Sequence, residues 1–255
     1  MDFIVSADTD IGITKKTNQD STSVKILNTN IGKMAFGILC DGMGGLAKGE
    51  VASATVIKEF DRWILEDFSL ILDASLTPDA IRTSWCNVIY RVNERIKTYG
   101  RTNGIHLGTT AVILLLTQTD YYLLNVGDSR AYEISSQIVQ MTEDQSFVAR
   151  EVAMGRMTLE QAKVDQRRSV LLQCIGASEK VYPDFYTGKV KNNAVYLLCS
   201  DGLVHKITSD EIYQKLNPVG MISREVMSKA AADLIETDKQ RMESDNITAA
   251  LIRTY

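Results

Sequence analysis

Tyr121-Tyr122-Leu123-Leu124-Asn125-Val126-Gly127-Asp128-Ser129-Arg130-Ala131-Tyr132-Glu133-Ile134 holds two strand-like runs, 121–126 and 130–134, joined only by Gly127-Asp128-Ser129. Their aromatic and aliphatic residues favour extended backbone, and the Gly and Asp between them favour a turn. A parallel pair needs a crossover of about a dozen residues or more. The spacing therefore predicts that the two runs pair antiparallel. Working outward, further short runs bounded by Gly, Asp or Asn predict strands at 3–8, 22–28, 34–40, 109–117, 181–188, 194–199 and 246–253.

Helices fall between these strand groups. Residues 48–66 bring Val51, Val56, Phe60 and Trp63 near one face. Residues 78–98 start at Thr77 as N-cap and Pro78 as first helical residue, then repeat Ile81, Trp85, Val88, Val92 and Ile96 at intervals of three and four. Residues 209–216 and 222–236 form a second pair. This order predicts an α+β fold, a four-layer αββα sandwich of two antiparallel sheets flanked by helix pairs. With no linker and only three prolines, residues 1–255 read as a single domain. Residues 144–180 break the pattern: they are polar and partly helical, with Gly155 and Gly176 as breaks, and are expected to form a surface flap.

Bulk composition excludes several classes. Apolar content is 45% and charged content 24%, ordinary for a globular chain. A net charge of -4 argues against nucleic-acid binding through a basic surface. The longest apolar stretch, Ala111 to Leu116, is too short for a membrane span. Met1-Asp2-Phe3 lacks the basic region of a secretion signal. The four cysteines (Cys40, Cys86, Cys174, Cys199) contain no Cys-x-x-Cys pair and read as reduced core thiols of a cytoplasmic protein.

Four acidic motifs end apolar runs or flank them: Asn18-Gln19-Asp20, Asp41-Gly42, Ser200-Asp201-Gly202 and Asp245-Asn246. A carboxylate at the end of a buried strand is costly to desolvate unless a cation sits beside it. No basic residue close in sequence balances them, so a shared metal ion is the economical expectation. Two carboxylates ~4 Å apart repel by roughly 4 kcal/mol at an effective dielectric of about 20. Oxygen donors select hard ions, magnesium or manganese, and no His/Cys cluster suggests zinc. Each motif also has a plainer reading. A lone Asp after a strand is usually a turn former, and Gly127-Asp128-Ser129-Arg130 reads equally as a hairpin turn. His106 and His205 read as surface residues. Gly42-Met43-Gly44-Gly45-Leu46-Ala47 matches a dinucleotide fingerprint, with Asp61 about twenty positions on, but that Asp falls in a helix rather than at a strand end. Asp8-Thr9-Asp10 resembles a calcium loop and fails at Ile13 and Gln19.

Taken together, Asn18-Gln19-Asp20, Asp41-Gly42-Met43-Gly44-Gly45, Gly108-Thr109-Thr110, Gly127-Asp128-Ser129-Arg130, Ser200-Asp201-Gly202-Leu203 and Asp245-Asn246-Ile247-Thr248 resemble, in order, the motifs of metal-dependent serine/threonine protein phosphatases of type 2C, in their bacterial branch. The resemblance implies hydrolysis of phosphate monoesters by direct attack of a metal-activated water, with two Mn2+ or Mg2+ ions and a third, weaker ion. It implies that Asp41 bridges the two ions, that the Gly42 carbonyl reaches one of them, and that Asp201 and Asp245 complete the other site. Asp20 would orient water or lie near the second ion, and Asp128 with Asp201 would take the third. The catalytic set would be Asp20, Asp41 and Lys15. Lys15 stands where the family grips phosphate with Arg, which keeps the charge but loses the two-pronged fork. Met43, Gln145, His205 and Gln19 are further departures. The implied partners are phosphoserine and phosphothreonine proteins and a cognate Ser/Thr kinase. The alternative is a catalytically weak scaffold that binds phosphoproteins.

Overall fold

The structure is a computed structural model that describes residues 1–43, 48–74 and 76–255. In chain order the strands are β1 (Phe3–Asp10), β2 (Ser21–Thr29), β3 (Gly32–Cys40), β4 (Ala111–Leu116), β5 (Asp120–Val126), β6 (Arg130–Ile134), β7 (Ile138–Gln140), β8 (Asp184–Lys189), β9 (Ala194–Cys199) and β10 (Ile247–Thr254). The helices are α1 (Gly49–Glu66), α2 (Phe68–Ala74), α3 (Pro78–Asn103), α4 (Phe147–Ala153), α5 (Leu159–Val164), α6 (Ser209–Leu216) and α7 (Arg224–Gln240).

Two five-stranded sheets form, ordered β1-β10-β9-β6-β7 and β2-β3-β4-β5-β8. Every ladder between named strands is antiparallel. The expected pairing of 121–126 with 130–134 is not found. β5 pairs with β4 and β8, whereas β6 pairs with β9 and β7. The short connection is a crossing from one sheet to the other. Gly127 sits at a φ of 103°, and a Cβ there would lie 2.6 Å from Thr110 Cγ2. Only glycine takes that backbone at that distance. Antiparallel sheets follow all the same, because the β2–β3 and β4–β5 hairpins have short turns of their own.

Three apolar layers hold the sandwich. Between the sheets, Leu39, Val112, Leu114 and Leu123 meet Tyr196, Leu198, Ala250 and Ile252. Outside the second sheet, Phe60 and Trp63 of α1 and Trp85 and Val88 of α3 pack on Phe36 and Ile38. Outside the first, Ile212 and Leu216 of α6 and Met227, Ala231 and Leu234 of α7 pack on Leu197 and Leu251. α3 begins as expected, with Thr77 Oγ1 accepting the Ala80 N–H at 3.2 Å. α2 and β7 were not expected: one is a single short segment after α1, the other a three-residue edge strand.

Residues 144–180 carry α4 and α5, neither of which buries a residue. The segment is tied at both ends. Gln145 N–H donates to the Gly127 carbonyl at 3.0 Å, and Ile175 exchanges backbone hydrogen bonds with Thr109 at 2.9 and 3.0 Å.

Candidate metal centre

Strand register brings the acidic motifs together. Ser21 is opposite Cys40 in the β2–β3 ladder, so Asp20 and Asp41 leave the second sheet side by side. Cys199 is opposite Ala249 in the β9–β10 ladder, and the Ser200 N–H continues it to the Thr248 carbonyl at 3.2 Å, so Asp201 and Asp245 leave the first sheet together. Because the sheets are stacked, both pairs converge at one end. Side-chain bonds fix the meeting. Thr248 Oγ1 donates to Asp20 Oδ2 at 2.6 Å. Asn246 Oδ1 accepts the Gln19 N–H at 2.9 Å, and its amide donates to the carbonyls of Ile11 and Thr17. Asp41 N–H donates to Thr110 Oγ1 at 2.9 Å, and Thr110 Oγ1 lies 2.6 Å from Ser129 Oγ, which carries the Asp128 segment in. Backbones touch at Gly42, where a Cβ would lie 2.5 Å from the carbonyl oxygens of Gln19 and Gly49.

The electrostatics are those of crowded acids. Burial, then the charges of Asp201 and Asp245, push Asp20 up to about 6 against the pull of the Thr248 and Ser200 hydroxyls. Burial, then Asp20 and Asp201, hold Asp41 well above the usual carboxylate range, and Asp128 is raised by burial and Asp201. Asp201 goes the other way: burial would raise it, but His205, with Nε2 at 3.3 Å, draws it below its ordinary value. Lys15 Nζ lies 2.8 Å from Asp245 Oδ1, and its charge is also felt by Asp41 and Asp201. Two buried oxygens, Asp20 Oδ1 and Asp201 Oδ1, have no hydrogen-bond partner among the described residues. A buried, unpartnered carboxylate oxygen is expensive, and a hard cation is the partner such oxygens suit. Among the described residues no three acidic, imidazole or thiol groups form a ready-made cage. What points to a cation is therefore the pair of unpartnered oxygens, not a complete ligand shell.

Lys15, Asp20, Asp41, Gly42, Asp128, Asp201 and Asp245 all belong to this one end of the sandwich. Gly44, Gly45, Leu46 and Ala47, invoked both for close backbone approach and in the dinucleotide fingerprint, lie outside the described residues; Asp61 is paired with Lys25. Asp10 of the supposed calcium loop takes the Gly12 N–H and Lys239. Gln145, where a histidine is usual, is a packing node: it accepts the Gly127 N–H at 2.7 Å and donates to Asp184 at 2.7 Å. His106 is exposed as expected. His205 lies at the surface as expected, yet it is not free. It bridges Asp201 and Glu243, whose Oε2 lies 3.4 Å from Nδ1, and these contacts outweigh burial to raise it to about 10. Nor are the acids without basic neighbours: Lys15 and His205 are brought to them by folding. Glu243 and Asp238 were missed altogether. Glu243 is buried two residues before Asp245, and Asp238 has both carboxyl oxygens buried without partners among the described residues. A carboxylate so near a strand-end Asp was the available signal for Glu243; nothing local marks Asp238.

Residues 13–237 match the family model described as Protein phosphatase 2C. A serine/threonine phosphatase stp of Listeria innocua is 31% identical over 249 residues, covering 96% of this chain and 93% of the relative. The crystal structure of serine/threonine phosphatase Stp1 from Staphylococcus aureus superposes with a TM-score of 0.85 at 29% identity, covering all of this chain and 96% of that one. The catalytic domain of the serine threonine protein phosphatase PstP, solved in complex with two manganese ions, gives a TM-score of 0.79 at 25% identity over 98% of this chain and 97% of that one. With its sheet order, its convergent carboxylates and these matches, the chain belongs to the protein phosphatase 2C family.

Proposed function

We propose that this chain is a serine/threonine phosphoprotein phosphatase that works with two Mn2+ or Mg2+ ions held by Asp20, Asp41, Asp201, Asp245 and the Gly42 carbonyl. The observation that carries the reading is the pair of buried oxygens, Asp20 Oδ1 and Asp201 Oδ1, that have no partner among the described residues. Bound ions would supply a water acidified towards neutrality and positive charge against the phosphoryl oxygens. The chain's own residues do the rest. Thr248 holds Asp20 by one oxygen, and the other is buried with no partner among the described residues. Lys15, at the more exposed rim, meets the phosphoryl group of the substrate. The bond from phosphorus to the serine or threonine oxygen breaks as the water oxygen bonds to phosphorus, giving inorganic phosphate and a free hydroxyl. Met43 has no proton to give, so the leaving oxygen takes its proton from solvent. No phosphoenzyme is needed: Cys40, Cys174 and Cys199 are buried, Cys86 is half-buried, and burial raises all four thiols.

Asp128 with Asp201 is proposed to take a third, weaker ion. Residues 1–255 are proposed to act as one domain, with 144–180 as the flap that selects substrates. No described helix is long and apolar enough to cross a membrane. The cysteines are all free, which supports a reducing, cytoplasmic setting with a Ser/Thr kinase as opposing partner. The test is manganese-dependent release of phosphate from p-nitrophenyl phosphate and from phosphothreonine peptides. Asp41→Asn and Asp201→Asn should each lower it by about a thousandfold, ~4 kcal/mol in the barrier. Retained activity in both would overturn the site.

One observation favours a second reading, a phosphoprotein-binding scaffold of low turnover: Lys15 is committed to Asp245 rather than free for phosphate. Tight phosphopeptide binding without turnover in manganese would select it.

A further inference from the structure

Asp201 and Asp245 approach the cluster from different strands, and one buried side chain reaches toward both. Glu243 follows Met242, whose φ of 62° turns the chain back after α7, and its N–H donates to the Asp238 carbonyl at 3.0 Å. Its Oε1 accepts the backbone N–H groups of Ser244 at 2.8 Å and of Asp245 at 2.9 Å. Its Oε2 lies 3.4 Å from His205 Nδ1, and the other ring nitrogen lies 3.3 Å from Asp201 Oδ2. Glu243 is 3% exposed, so neither oxygen is free to wander into solvent. The imidazole occupies Asp201 Oδ2, and Oδ1 is the buried oxygen with no partner among the described residues.

We propose that Glu243 is a positioning residue for the metal centre: one oxygen sets the turn that presents Asp245, and the other fixes His205, which in turn orients Asp201. Groups that orient ligands in this way are commonly worth about 10- to 100-fold in metal affinity. Nothing in the motifs at Asp201 and Asp245 requires this link, since its two members lie outside both motifs' core residues and 38 positions apart in the chain, at 205 and 243. The inference rests on the phosphatase reading only in taking Asp201 and Asp245 as ligands. It makes its own claim about binding.

The experiment is calorimetric titration of the full chain with Mn2+, alongside melting of the chelated protein and kinetics on p-nitrophenyl phosphate. Glu243→Gln keeps a carbonyl acceptor for the two backbone N–H groups and alters only the atom facing His205. It should melt like the parent in chelator and bind Mn2+ about 10-fold more weakly. His205→Gln should weaken Mn2+ similarly, and its side chain is exposed enough to tolerate the change if Glu243→Gln does not fold. The double variant should bind no more weakly than the weaker single, because both break one chain of contacts. Parent-like Mn2+ affinity in either single variant overturns the proposal, and so do losses that add in the double variant. A parent that binds no Mn2+ overturns it together with the phosphatase reading. A parent that binds Mn2+ but releases no phosphate sinks the phosphatase reading alone, while the affinity losses would still uphold Glu243 as a positioning residue.

Discussion

On one side of Cys40, Phe36 stacks on Phe60 at 6.3 Å and meets Trp85 edge-on at 6.2 Å. On the other side, Asp41 faces the charges of Asp20, Asp201, Asp128 and Asp245. The same strand thus feeds a core in which apolar neighbours add stability and a cluster in which, without bound ions, the acidic neighbours of Asp41 subtract it. Aromatic contacts of the first kind are worth about 0.5–1.5 kcal/mol each beyond their burial. The contrast says where stability is made and where it is given up for chemistry. It is broken most sharply by opposite substitutions. Trp85→Ala should cost about 3–5 kcal/mol in a denaturant melt, since it empties a fully buried site. Asp41→Asn should leave the chelated protein as stable as the parent or more so, because it removes one of the repelling charges. A destabilised Asp41→Asn protein in chelator would mean that the cluster is held by internal bonds rather than by ions.

The two regions were unequally legible. The aromatic face was plain in the spacing of Ile81, Trp85, Val88, Val92 and Ile96, and all five are buried. The ends of β3 and β9 were plain because an apolar run stops at an acid. What failed was partnership. A three-residue connection looks the same whether it closes a hairpin or crosses between stacked sheets, so β5 and β6 were paired wrongly. Sheet membership is decided by strands far away in sequence. His205 and Glu243 were lost for the same reason: one stands four residues after Asp201, the other two before Asp245, and only the β9–β10 ladder makes them neighbours. Lys15 was found through its motif, but its contact with Asp245 is a product of folding.

A pH series sharpens the contrast at intermediate size. Asp20 is raised from 3.8 to about 6 in the ion-free fold, with Asp41 and Asp128 raised as well. A carboxyl with a raised folded value binds its proton more tightly folded than unfolded. Its contribution is therefore full below about pH 4 and is lost as the pH rises through 6, on the order of 3 kcal/mol for Asp20 alone. The chelated protein should melt at lower temperature at pH 6.5 than at pH 4.5. Manganese should remove or reverse that trend, since the ion competes with protons for the same oxygens. At about 100 times its dissociation constant it adds ~2.7 kcal/mol. The paired surface acids Asp165 and Glu211, lowered to about 2, act in a separate window below pH 4.5. A chelated protein whose melting point climbs between pH 4.5 and 6.5 would contradict the assigned crowding.

The smallest effect belongs to Lys15, which with His205 is a cation that this cluster carries itself. Its ammonium is held at Asp245, and that bond, set against the cost of burial, raises its proton affinity, so it stays charged across the working range. The charge acts in two directions. It attracts an incoming phosphoryl group, and it competes with any ion for Asp245. Lys15→Ala removes both, so KM should rise about 10-fold, ~1.4 kcal/mol, while Mn2+ binds somewhat more tightly. Lys15→Arg keeps the charge and adds a fork that fits two phosphoryl oxygens, so KM should hold or fall. The pair of measurements separates the roles. A raised KM with unchanged Mn2+ affinity makes Lys15 a phosphate group only, and tighter Mn2+ with unchanged KM makes it an internal counter-ion only. The aromatic core holds no side chain with such a double task, because an apolar contact has no charge to lend to a passing ligand.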